Sequence, residues 1–182
     1  MDLRYPVGRF QAPEEITSGQ INAAIDEIAA LPAILRKAVA GLNEDQLATP
    51  YREGGWTVSQ VVHHVADSHM NSYVRFRLAL TEEQPTIKPY DEKAWAELED
   101  ARTANIDVSL ALIEALHDRW VLLLRSMSPA DFRRTFLHPE SGVRALDWNT
   151  LLYGWHSRHH VAHIMRLRER MGWPTATSLT AP

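Results

Sequence analysis

Apolar residues recur at three- and four-residue intervals in four long stretches of the chain, and turn-forming residues separate them. The first run, 18–42, places Ile21, Ile25, Ile28, Leu31 and Leu35 on one helical face. Pro32 falls inside it and is expected to kink or split that helix, because its ring displaces a backbone hydrogen bond. Gly41 lies near the expected stop. After the turn-rich segment NEDQLATPYREGGW, Thr57 and Gln60 match a capping box and open a second helix, TVSQVVHHVADSHMNSYVRFRLALT. A short helical piece is expected around Asp91–Glu99. The third long run, 107–127, carries Leu110, Ile113, Leu116, Trp120 and Leu124 along one side.

Ser128 and Pro129 read as the cap and first position of a further short helix. RRTFLHPESGVRAL predicts a small hairpin around HPESG. The last helix is expected to start near Asp147 or Asn149 and to run to Met171, with Gly172 as its stop. Four long amphipathic helices predict an all-α four-helix bundle with short extra helices, in one domain over residues 1–182.

Composition narrows the chemistry. At 182 residues and 45% hydrophobic content the chain can build one real core, and a formal charge of −4 provides no basic field for nucleic acid. No window approaches a membrane span, and the N-terminal stretch has no apolar signal core, so a cytoplasmic protein is expected. With no cysteine there is no disulfide, no thiolate metal site and no cysteine nucleophile. Any metal must be held by histidine, carboxylate or water.

Histidine is where the composition is unusual. WHSRHHVAH, residues 155–163, holds His156, His159, His160 and His163, out of nine in the chain. At about 100° per residue, His160 and His163 lie roughly 40° and 20° to either side of His156. Leu152 and Leu167 share that arc, which turns it toward the core. His159 is roughly 60° off, and Arg158 and Arg168 fall on the side expected to face solvent. The pairs His156/His160 and His159/His163 both have the i, i+4 spacing that lets two imidazoles reach one cation, so spacing leaves the choice open. Catalytic zinc ordinarily takes three protein ligands. A third candidate is His64 in VVHHVADSH, which shares a polar stripe with Ser68, Asn71 and Arg75 between the apolar flanks Val61 and Val74. Such a stripe suits a wet cavity between helices. His69, His117, His138 and His159 read as ordinary hydrogen-bonded or surface histidines, and Trp120, Trp148 and Trp155 as packing residues. Ser157 follows His156, so the general base of the HExxH metalloproteases is missing.

YREGGWTVSQVVHHVADSHMNSYVRFRLALTEEQPTIKPYDEKAW, HPESG and YGWHSRHHVAHIMRLRERMGW together resemble the YfiT branch of the DinB superfamily. The resemblance extends from YPVG near the start to MGW near the end. Members are described as metal-dependent hydrolases, and some act as bacillithiol S-transferases. The resemblance implies a four-helix bundle, a mononuclear zinc or nickel site made by His64, His156 and His160, and a homodimer.

Three neutral imidazoles leave a divalent metal its full charge and an open face, which can activate a bound water or a bound thiol. The expected function is a thiol S-transferase that joins a low-molecular-weight, bacillithiol-like thiol to electrophiles, a detoxification chemistry. Hydrolysis by metal-bound hydroxide is the alternative, and a non-catalytic metal-binding bundle the second alternative. Arg75 is placed to pair with a carboxylate of the thiol and Asn71 to hydrogen-bond it; Asp67 is the candidate to orient a ligand histidine. No residue stands out as a general base, which fits a nucleophile activated by coordination.

Overall fold

The computed structural model describes residues 2–174. Four long helices dominate: α1 (Ser18–Val39), α3 (Val58–Thr81), α6 (Ile106–Ser126) and α8 (Leu146–Met171). Short helices α2 (Glu44–Leu47), α4 (Glu92–Ala96), α5 (Glu99–Thr103) and α7 (Pro129–Phe132) lie in the connections. Strands β1 (Thr135–His138) and β2 (Gly142–Ala145) pair antiparallel around the HPESG turn, with Phe136 opposite Arg144. The four-helix bundle and the hairpin are therefore as the residue pattern predicts. α1 packs against α8 and α6, and α3 packs against the same two, so the first two long helices sit diagonally across the bundle.

The start signals at Thr57 and Ser128 act as read, each closing a capping box with the residue three further on, and Thr17 does the same for α1. Gln60 also reaches sideways, its Nε2 donating to the Ala96 carbonyl at 2.7 Å, which ties α4 to the top of α3. Gly172 stops α8 in the left-handed conformation at φ 66°.

Three expectations need correction. α1 runs through Pro32 as one helix rather than splitting. The segment after Gly41 is not all loop, since Asn43 caps the short α2. Arg168 is not on a solvated face but 1% exposed. Its guanidinium donates to the carbonyls of Ala38 at 2.8 Å and Ala40 at 3.0 Å, and also to that of Pro174. The last carbonyls of a helix lack intrahelical donors, and α1 ends beside α8, where a long buried cation can supply them. The helical wheel cannot reveal this, because the demand comes from another helix.

The core divides into two apolar clusters. One takes Val58, Val61, Val62 and Val65 from the start of α3 and Ile164 and Leu167 from the end of α8. The other takes Phe76 and Ala79 from the end of α3 and Leu146 and Tyr153 from the start of α8, around Trp120. Between them α3 buries His64, Ser68, His69 and Ser72, and α8 buries Asn149, Ser157 and His160. The interior is apolar at both ends and imidazole-rich in the middle.

Replacing Arg168 with Leu keeps bulk but strips the α1 carbonyls of their donors. Each buried unpaired acceptor costs about 1–3 kcal/mol, so urea unfolding of this variant is expected to show a loss of roughly 2–4 kcal/mol. An unchanged midpoint contradicts this assignment.

Candidate metal centre

His64 comes from α3, and His156 and His160 from α8, one turn apart. One ring nitrogen from each lies within 4.8 Å of the others. The rings are not stacked: the His64 plane makes 49° with His156 and 61° with His160, and the centroids are 5.4 Å and 4.7 Å apart. The Nε2 atoms of His156 and His160 approach to 3.1 Å. Two lone pairs tolerate that spacing only with a proton or cation between them. Two ligand nitrogens at the usual zinc distance of 2.0–2.1 Å in a tetrahedron stand roughly 3.3 Å apart, so the spacing suits a cation.

A second group, His159, His160 and His163, also meets the distance condition. Its members are engaged differently. His163 stacks on Tyr51 at 4.0 Å, with Nε2 3.4 Å from the Arg4 carbonyl. His159 stacks on Trp155 at 4.5 Å. These two form a wall of the cavity.

Burial keeps every one of these rings neutral at pH 7. It pushes His64 down to about 4, with the nearby His159 adding to the effect. His159 falls to about 4 and His163 to about 3, again chiefly through desolvation. His156 and His160 are pushed well below 6.5 by burial and then by the other histidines. Neutral imidazoles carry the lone pairs that metal binding needs.

The turn in YREGGW shapes one side of the site. Gly54 has φ 61°, and the Gly55 amide donates to the Arg52 carbonyl at 3.0 Å. The turn sets Trp56 4.5 Å from His64 and Tyr51 against His163. A cavity of about 620 Å³ opens here, lined by the cluster histidines together with Arg52, Trp56 and Lys93. A second cavity, about 710 Å³, approaches from the other side and is lined by Ser68, Arg75, Tyr90, His138 and Tyr153. Glu92, Lys93 and His156 border both cavities.

The polar stripe of α3 is thus divided. Ser68 Oγ lies 3.5 Å from His156 Nε2 and 3.2 Å from the Tyr153 hydroxyl. Arg75 reaches the second cavity. Asn71 instead turns its amide back along its own helix and donates to the Asp67 carbonyl at 2.9 Å. Asp67 is half-buried, and desolvation followed by Asp100 raises its carboxyl to about 6. The group nearest the far side of His156 is His69, whose Nε2 is 3.1 Å from His156 Nδ1. His69 lies five residues beyond His64, off the stripe, so the spacing of polar residues on α3 gives no sign of this contact. His63 faces away, bonded to Ser109 and the Ala104 carbonyl.

A bundle with a cluster of neutral histidines between two helices and cavities on both sides is the architecture of a histidine-site metal protein. The DinB superfamily model matches residues 27–164, and the chain belongs to that superfamily, in its YfiT-like branch. It is similar to YfiT from Bacillus subtilis at 51% identity and TM-score 0.93, over 96% of this chain and all of that one. That structure is described as "a probable metal-dependent hydrolase with an unusual four-helix bundle topology". A protein of Oceanobacillus iheyensis is 56% identical over 95% of this chain and 100% of its own length, and one of Bacillus mycoides 57% over 94% and 99%. Both carry the name "Putative metal-dependent hydrolase". TT2238, a four-helix bundle protein at 21% identity and TM-score 0.52, shares the fold.

The neutral histidines set a pH dependence for the metal-free protein. Their folded pKa values lie below the unfolded 6.5, so below that pH the unfolded chain takes up protons that the native state refuses. Stability is full above about 6.5 and is lost as the pH falls toward 4. Each such group contributes about 1.4 kcal/mol per pH unit. Urea unfolding of the chelator-treated protein is therefore expected to lose at least about 3 kcal/mol between pH 7.5 and 5; a constant midpoint over that range contradicts the neutral cluster.

Proposed function

We propose that this protein is a metal-dependent enzyme in which His64, His156 and His160 hold one divalent ion, zinc or nickel. On this reading it is a thiol S-transferase, joining a small bacillithiol-like thiol to electrophiles. The observation that carries the transferase reading is the pair of cavities that meet at His156. A transfer between two molecules needs two approaches to one centre, whereas hydrolysis needs one approach and water. The donor set fits a borderline metal such as zinc or nickel, being three imidazoles without carboxylate or thiolate.

When bound, a divalent ion on three neutral ligands supplies Lewis acidity that lowers the pKa of a coordinated thiol or water. The chain's own residues do the rest. Arg75 offers a guanidinium to an anionic group of a molecule in the second cavity, where a bidentate pair with a carboxylate fixes orientation. Asn71 and Asp67 have a supporting part: the amide of Asn71 holds the Asp67 carbonyl, two turns before Arg75 on α3. Ser68 and the Tyr153 hydroxyl are within hydrogen-bonding reach of a polar group beside His156. Trp56 and the Tyr51–His163 stack give the first cavity an aromatic wall suited to an apolar electrophile.

Hydrolysis is the second reading, supported by the names given to the relatives. A non-catalytic metal-binding bundle is the third. The assignment extends to a cytoplasmic homodimer, for which the apolar groove between α1 and α8, with Ile34 and Met165 exposed, offers a face. No helix among the described residues is long and apolar enough to cross a membrane.

Incubation with a monochlorobimane-type electrophile tests the reaction. Conjugate is expected only when a low-molecular-weight thiol is added, lost with a chelator and restored by zinc. Turnover that ignores added thiol overturns the transferase reading, and turnover indifferent to the chelator overturns the metal reading. For the ligands, His64→Ala, His156→Ala and His160→Ala are each expected to lose tight metal binding, while His63→Ala and His159→Ala retain it. Equal loss in all five refutes the assignment.

A further inference from the structure

Behind His156 a line of hydrogen bonds runs through all four long helices. His156 Nδ1 on α8 is 3.1 Å from His69 Nε2 on α3. His69 Nδ1 is 2.9 Å from His117 Nε2 on α6. His117 Nδ1 is 2.7 Å from the carbonyl oxygen of Ile28 on α1. His69 and His117 are 0% and 1% exposed, and Trp120 closes edge-on over both at 5.7 Å.

The last of these contacts fixes the direction of the rest. A carbonyl oxygen can only accept, so His117 Nδ1 carries the proton and donates to Ile28. A neutral imidazole has one N–H and one lone pair, so His117 Nε2 must accept, and His69 Nδ1 must donate to it. By the same rule His69 Nε2 accepts and His156 Nδ1 donates. The lone pair of His156 is left on Nε2, the atom that faces His160. Both rings are enclosed, and burial of an imidazole disfavours its charged form.

Pro32 supplies the start of the line. An ordinary residue at that position would donate its amide to the Ile28 carbonyl four residues back; proline has no N–H. The proline that breaks the hydrogen-bond pattern of α1 leaves the acceptor that His117 uses.

We propose that Ile28, His117 and His69 form a tautomer-setting relay that fixes His156 as the Nδ1–H form and aims its Nε2 into the metal centre. His69 and His117 are positioning residues, acting through His156. The inference rests on the metal reading for its purpose but not for its geometry.

Two measurements on the full-length protein separate the two. Long-range 1H–15N spectra of the histidine rings, recorded metal-free and zinc-loaded, are expected to show Nδ1–H tautomers at His69, His117 and His156 in both states. An Nε2–H form at any of the three overturns the relay whether or not zinc binds. Zinc affinity by chelator competition is then compared for the parent, His69→Phe and His69→Gln. Loss of such an outer partner ordinarily costs 10–100-fold in affinity. His69→Phe is expected to weaken zinc binding by that factor and to alter the visible spectrum of the cobalt-substituted protein. His69→Gln, whose amide keeps one donor and one acceptor, is expected to recover most of both. Equal affinity in the parent and His69→Phe, or Phe and Gln variants that fall together, overturns the positioning role. A parent that binds no zinc while the three tautomers are as expected overturns the metal reading and leaves the relay as an architectural feature.

Discussion

A buried imidazole gains most when its nitrogens find partners, and this bundle meets that demand unevenly: His69 and His117 are bonded at both nitrogens, while His159, His160 and His163 each keep a buried Nδ1 without a partner. His64, His69, His117, His160 and His163 are all buried, in the band between two apolar clusters. A hydrocarbon core would pack more simply there. Holding uncharged rings at hydrogen-bonding distance from one another draws on every long helix, since His156, His69, His117 and the Ile28 carbonyl come from α8, α3, α6 and α1. That requirement explains why ordinary features recur near the band: the capping box that fixes the start of α3, the tie from Gln60 to α4, and the buried Arg168 that locks the end of α1 against α8.

The same demand separates the histidines by task. His163 and His159 are held by aromatic faces and form cavity wall. His63 is bonded to Ser109 and the Ala104 carbonyl. Among the described residues, His64, His156 and His160 converge from two helices onto a common point with cavities on either side. Chemical competence at such a point comes from neutrality and open access, not from a general base.

Much of this is legible in the sequence because it is local. Helical spacing, the Thr57–Gln60 and Ser128–Pro129 start signals, the HPESG hairpin and the Gly172 stop are all set by residues close together in the chain. The i, i+4 histidine pairs are visible as well, but a wheel shows only that two alternatives exist; which rings converge depends on α3 lying beside α8. What the sequence hides is set by partners distant along the chain. Arg168 reads as a surface arginine because its acceptors are carbonyls of α1. His69 and His117 read as unremarkable because neither shares a stripe with the cluster, and 48 residues separate them. Pro32 reads as a fault in a helix because the ring that uses its missing hydrogen bond belongs to α6.

On the proposed reading, three imidazoles from two helices bind one ion. X-ray absorption at the zinc edge of the tag-free, zinc-loaded protein tests it most directly, because outer-shell scattering from rigid imidazole rings counts them. Three imidazoles with nitrogen at about 2.0–2.1 Å and a further light-atom ligand are expected. One or two imidazoles, or a shell dominated by carboxylate oxygen, would contradict it.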